Sequence, residues 1–135
     1  LSIIKLHIHT DGAARGNPGP AAIGVTIKDD NGTLIDTISR RIGKATNNQA
    51  EYRAIIAGLE KACKLGAKQV EIRSDSELAV KQINGHYRVK NSALRELYQK
   101  VVKLTGSLES FSIKHVRRAK SAEADSLANQ ALDKL

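Results

Sequence analysis

Four acids carry the first chemical signal in this sequence: Asp11, Glu51, Asp75 and Asp125. Each stands where a strand is expected to end or a helix to begin. In sheets crossed by helices, sites form beyond such strand ends. Alone, each acid also fits an ordinary role. Asp11 precedes Gly12 and suits a turn; Asp75 suits a helix cap; Glu51 and Asp125 suit the positive end of a helix dipole. Brought together, four carboxylates repel one another unless cations offset the charge. The set offers hard oxygen ligands, which suit Mg²⁺ or Mn²⁺ rather than Zn²⁺, and no Cys/His spacing supports a zinc site. Such a set can hold two divalent ions about 3.5–4 Å apart, the arrangement of two-metal phosphoryl transfer. One ion would lower the pKa of a water aimed at phosphorus. The other would stabilise a leaving 3′ oxygen, so the products would carry 5′-phosphate and 3′-hydroxyl ends.

The elements that must position these acids follow from periodicity. Ile4, Leu6 and Ile8 alternate with Lys5, His7 and His9, the pattern of a half-buried strand ending at Asp11. A Gly- and Pro-rich turn spans Gly12 to Pro20, and Ile23, Val25 and Ile27 mark a second strand. Asn31-Gly32 is a hairpin signal leading to a third strand from about Thr33 to Arg40. Thr46 and Gln49 have capping-box spacing ahead of a helix that Gly66 closes. Val70 and Ile72 form a short strand ending at Asp75, and a helix with Leu78, Val80 and Ile83 stops at Gly85. Asn91 or Ser92 caps the next helix, Phe111, Ile113 and Val116 mark the last strand, and a final helix starts at Ser121. The order βββαβααβα predicts an α/β fold: a mixed five-stranded sheet, its first three strands antiparallel, flanked by about four helices. The first and fourth strands are then neighbours, with Asp11 and Asp75 side by side.

The chain of 135 residues fits one domain, residues 1–135. No apolar run approaches the ~18 residues of a membrane span, and the 1–8 stretch lacks a signal-peptide pattern. With the lone Cys63, which sits on the apolar stripe of its helix, these features predict a soluble, cytoplasmic protein without membrane attachment. The chain begins at Leu1 and contains no Met, as expected if an initiator was trimmed. A formal charge of +8 favours a polyanionic partner, nucleic acid above all. Aromatic content of 3% argues for phosphate and sugar contacts over base stacking. No heptad or large apolar face demands a partner copy, so a monomer is expected.

Four segments make the reading specific. Thr10-Asp11-Gly12-Ala13-Ala14-Arg15-Gly16-Asn17-Pro18-Gly19-Pro20 resembles the opening motif of type 1 ribonuclease H. Thr46-Asn47-Asn48-Gln49-Ala50-Glu51 resembles the second motif and Ser74-Asp75-Ser76 the third. The stretch from Val116 to Asp125, followed by Leu127-Ala128-Asn129, resembles the last. The resemblance covers essentially the whole chain, in order. It implies a ribonuclease H-like sheet of order 3-2-1-4-5 and cleavage of the RNA strand of RNA–DNA hybrids with two Mg²⁺ or Mn²⁺ ions. It places Asp11, Glu51, Asp75 and Asp125 at the four acidic, metal-holding positions. It also implies substrate contacts by Gly12, Ala13, Asn17, Asn47, Asn48 and Gln49, the Gly12–Asn17 turn lying in the minor groove where 2′-hydroxyls distinguish RNA. Lys44, Thr46 and Asn91 match positions that grip a phosphate of the DNA strand.

Two departures narrow the subtype. Many members place a catalytic His in the loop before the fourth acid. Here that loop is short and carries none, as in archaeal and some bacterial members that have an Arg there. Arg118 matches that Arg, with Arg117 as runner-up. An Arg cannot act as a general base, so its expected task is to hold the phosphate or help product leave. Members with a basic handle carry an extra Lys- and Trp-rich helix, which Gly85–Lys90 replaces here; hybrid binding should then be weaker and salt-sensitive. Double-stranded RNA and RNA–DNA junctions remain alternative substrates, and a silent hybrid-binding module remains an alternative class. Integrases and exonucleases share the fold but fit the Asn47-Asn48 pair poorly.

Overall fold

The protein is described by a computed structural model over residues 5–117 and 122–134. Its elements run β1 (Lys5–Ala14), β2 (Gly19–Asp29), β3 (Leu34–Ala45), α1 (Asn47–Lys64), β4 (Gln69–Ser74), α2 (Glu77–Ile83), α3 (Ser92–Thr105), β5 (Ser110–His115) and α4 (Ala122–Asp133). The sheet order is β3-β2-β1-β4-β5. β1 to β3 are antiparallel neighbours, and β4 lies parallel to both β1 and β5. The expected fold class, strand order and helix number are all found.

Alternation decides which layer each residue joins. Leu6, Ile8 and Thr10 of β1 are fully buried, and the core they enter is shared with α1 residues Tyr52, Ile55 and Leu59. Helix α1 is buried on most of its circumference because the sheet lies on one side and α3 on the other. Its start is a capping box: Gln49 N donates to Thr46 Oγ1 (3.1 Å) and Thr46 N donates to Gln49 Oε1 (2.8 Å). Helix α4 lies across β1, β2 and β3. Among the described residues, no helix is long and apolar enough to cross a membrane.

Several boundaries differ from the sequence pattern, each for a pairing reason. β1 does not stop at Asp11, because Gly12, Ala13 and Ala14 keep pairing with Ile23, Ala22 and Ala21. The Gly12–Pro20 turn therefore shrinks to residues 15–18. β3 continues past Arg40 to Ala45 by pairing with the start of β2, around a bulge at Ile42. The β2–β3 hairpin turns through residues 30–33 with Gly32 at φ +83°; Gly32 N donates to Asp29 O and Asp29 N to Thr33 O. β4 ends at Ser74, and the cap of α2 is Ser76, whose side chain accepts from Ala79 N. Asn91, rather than Ser92, caps α3. Val116 lies just beyond β5, although its N–H still donates to Ser74 O at 2.9 Å. Cys63 is half-buried, its Sγ 3.7 Å from Ser107 Oγ, instead of lying in the core.

Two glycines set how closely helices approach the sheet. A Cβ on Gly12 would lie 2.1 Å from the Ala50 carbonyl carbon in α1, and one on Gly24 would lie 1.9 Å from Ala124 O in α4. Both contacts are backbone on backbone, so neither relaxes by a side-chain rotation. Gly24→Ala is expected to push α4 off the sheet at a cost of about 1–3 kcal/mol, the range for overpacking. Urea unfolding reads this directly: the midpoint should fall, and an unchanged midpoint would refute the contact.

Candidate active site

Asp11 lies within β1, opposite Gly24 of β2. Its other neighbour, β4, pairs only as far as Ser74 opposite Thr10 and then turns into α2. The sheet thus opens beside Asp11 at the switch in strand order, the usual place for a site. Asp75 stands in that opening, one residue past β4. The Gly12 contact brings the first turns of α1 down onto β1, and Gly12 N donates to Glu51 Oε1 at 2.6 Å. Oxygens of Asp11, Glu51 and Asp75 all lie within 4.8 Å of one another. Asp125, in the first turn of α4, approaches Asp11 from the far side closely enough to raise its proton affinity. Four acids from four segments are brought together.

Their electrostatics are those of a site built for positive charge. Asp11 is 1% exposed, and its Oδ2 is buried without a hydrogen bond. Burial first, then the charges of Asp75 and Asp125, push the Asp11 carboxyl up to about 8. Burial, then Asp11 and Asp75, push Glu51 up to about 9, against the opposing hydrogen bond from Gly12. A buried carboxylate oxygen lacking a donor is costly, and a hard divalent cation satisfies it. The donor set fits Mg²⁺ or Mn²⁺.

Beside the acids, the 15–18 turn is stitched to the start of α1. Asn47 N donates to Asn17 Oδ1 (3.0 Å), and Ala14 N donates to Asn47 Oδ1 (2.9 Å). Each Asn side chain keeps its amide NH₂ for another acceptor. Asn48 is exposed beside them, whereas the Gln49 side-chain oxygen is occupied by the capping box. Gly12 and Ala13 belong to this face through β1. Thr46 and Asn91 both serve as N-caps through their oxygens, Asn91 Oδ1 accepting from Leu94 N at 3.0 Å. Their hydroxyl and amide hydrogens stay available. Lys44 lines a cavity with Pro20, Arg41 and Gly43, and no hydrogen bond among the described residues joins it to Thr46 or Asn91. Arg117 is exposed just past β5; Arg118 lies outside the described residues.

Sequence reasoning missed two positioning residues. Asn129 Nδ2 donates to Asp125 O (3.1 Å) and to Asp125 Oδ2 (3.4 Å). Its i+4 spacing from Asp125 was the available signal. Arg15 pairs with Asp133, tying the turn to the end of α4. His7 and His9 stay away from the acids: His7 Nε2 meets Asp30 Oδ1 at 2.8 Å, and His9 is half-buried, with burial lowering its pKa.

Known proteins share this fold. A family model described as reverse transcriptase-like matches residues 9–131. The structure of RNase H1 from Halobacterium salinarum superposes with a TM-score of 0.95 at 43% identity, covering 97% of this chain and 99% of that one. This chain belongs to the ribonuclease H family. The N-terminal RNase H domain of a Mycobacterium tuberculosis protein, solved as a maltose-binding-protein fusion, gives a TM-score of 0.93 at 41% identity, with 96% and 100% coverage. An RNase H1 isolated from compost, solved in complex with RNA/DNA hybrid, gives 0.91 at 44% identity, with 96% and 97% coverage. The chain spans 65% of the length of the full Halobacterium ribonuclease HI and 36% of a bifunctional M. tuberculosis protein.

The site's charge has a measurable consequence for this ribonuclease H-family chain. Asp11 and Glu51 hold protons more tightly when folded than when unfolded. Their contribution to stability is complete below about pH 4 and is lost as pH rises through about 8 and 9. In EDTA, Asp11→Asn should therefore gain in melting temperature over wild type as pH rises across that window. Saturating Mg²⁺ should shrink the gain. Calorimetric melts showing a pH-independent difference would contradict this electrostatic picture.

Proposed function

We propose that residues 1–135 form a single catalytic domain that hydrolyses the RNA strand of RNA–DNA hybrids. The observation that carries the reading is the acid cluster within 4.8 Å, set directly against the Asn17–Asn47 face. Kinship with an RNase H1 solved in complex with RNA/DNA hybrid supports the substrate class.

Asp11, Glu51, Asp75 and Asp125 would hold the ions, with Asn129 orienting Asp125. When bound, two Mg²⁺ or Mn²⁺ ions supply water activation and charge stabilisation at the leaving 3′ oxygen, giving 5′-phosphate and 3′-hydroxyl ends. The Gly12–Ala14 backbone and the Asn17, Asn47 and Asn48 amides form the face for sugars and base edges in the minor groove, with Gln49 beneath it. There a 2′-hydroxyl marks the strand to be cut. Lys44, Thr46 and Asn91 are assigned to a phosphate of the DNA strand. A cation, a hydroxyl and an amide are all donors to phosphate. Arg118 is assigned to holding the scissile phosphate or easing product release. The protein is taken to act as a cytoplasmic monomer.

The test is incubation of labelled hybrid, double-stranded RNA and double-stranded DNA with Mg²⁺, Mn²⁺ or EDTA. Cutting confined to the RNA of the hybrid and abolished by EDTA is expected. Cutting of DNA, or cutting that survives EDTA, would sink the mechanism, while equal cutting of double-stranded RNA would broaden the substrate class. Asp75→Asn should abolish turnover yet bind hybrid normally. Near-normal turnover would show that the metal site is misassigned.

A further inference from the structure

On the outer side of α1, away from the acids, two cavities run together. One of about 470 Å³ lies between β3 and α1; another of about 230 Å³ lies between β3, α1 and α3. Arg40, Ala57 and Glu60 line both, so they form one continuous groove. It begins near Arg53, half a turn past Glu51, and follows α1 to Lys64.

The groove is strongly cationic. Arg40, Arg53, Lys61, Lys64 and Lys100 line it, against only Asp36 and Glu60. Asp36 is already paired with Lys61 at 3.0 Å. Arg53 is held at the wall, its Nη1 donating to Ile42 O at 3.1 Å. Arg40, Lys64 and Lys100 are exposed, and among the described residues no hydrogen bond or ion pair engages them. The floor is aliphatic, made by Ile42, Ile56 and Leu97.

We propose that this groove binds the sugar–phosphate backbone of an unpaired nucleic-acid strand. The placement of its cations favours a single strand over a duplex. Arg40 on β3 faces Lys61 and Lys64 on α1 and Lys100 on α3 across the cleft, so a single backbone lying between them meets cations on two sides, whereas a duplex would present phosphates to the rim alone. Cations lining a groove suit the backbone of a polyanion. The groove lacks an aromatic platform, so recognition rests on phosphates, is indifferent to base sequence and weakens steeply with salt. None of the four acids lines the groove, and the proposal does not depend on which duplex they cut. A strand held there would be the unpaired tail of a nucleic acid engaged at the active site.

The test uses a fluorescein-labelled oligothymidylate, titrated with the full chain in EDTA and followed by anisotropy across a salt series. The triple variant Arg40→Glu, Lys64→Glu, Lys100→Glu is compared with a control of equal charge change, Lys68→Glu, Lys114→Glu, Lys134→Glu. The groove variant should weaken binding on the order of 10-fold more than the control. It should also flatten the slope of log affinity against log salt by roughly 2, at about 0.7 per phosphate for single strands. Equal weakening by both variants would reduce the effect to net charge and overturn the proposal, as would no weakening by the groove variant. If the glutamate variant does not fold, the glutamine triple at the same positions should still lose affinity relative to its own glutamine control. A wild-type protein that fails to cut hybrid would defeat the cleavage reading yet leave this comparison intact.

Discussion

The closeness of α1 to β1 at Gly12 is the constraint on which the rest of the site depends. Only a residue without a Cβ lets the Ala50 carbonyl carbon sit where it does, 2.1 Å from where that Cβ would be. The approach lets Glu51 reach Gly12 N at 2.6 Å and puts its carboxylate beside Asp11. Gly24 does the same for α4, whose first turn carries Asp125. Both helices are held by contacts made of backbone. Side-chain repacking has little room to blur the geometry, as suits a group whose distances matter.

This closeness has an electrostatic cost. Asp11 is almost fully buried with an oxygen that accepts nothing, and two of the acids retain protons well above the usual carboxylate range. The apolar core between α1 and the sheet supports that cost: Ile55 and Leu59 of α1 and Leu6, Ile8 and Ile72 of the sheet are completely buried. Local destabilisation held in place by a well-packed scaffold is the pattern of functional sites. Cations resolve it, which ties ion binding to the rigidity of the site.

Much of this was legible in the sequence, for physical reasons. Long periodic segments gave the element order, and the Thr46–Gln49 box placed the start of α1 to the residue. Four motifs in order identified the family and the sheet. What stayed hidden depends on pairing between distant segments. Gly12 and Ala13 read as turn because Gly breaks a strand pattern, yet pairing with Ile23 and Ala22 keeps them in β1. That places Asp11 within a strand, and explains its burial. The Gly24–Ala124 contact leaves no local mark on either segment. The bulge at Ile42 alters the alternation of β3 ahead of Lys44, which local spacing cannot show. Asn129 stood in the segment after the last motif, and its i+4 spacing from Asp125 was the signal for its contact.

The central claim is that backbone closeness at Gly12 builds the cation site. It is tested most directly by the Mn²⁺ affinity of Gly12→Ala, measured by electron paramagnetic resonance of the free ion on protein shown by circular dichroism to be folded. The added methyl should lift α1 and carry Glu51 away from Asp11, so affinity should fall on the order of 10-fold, about 1.4 kcal/mol. A folded Gly12→Ala protein that binds Mn²⁺ as tightly as wild type would contradict the account.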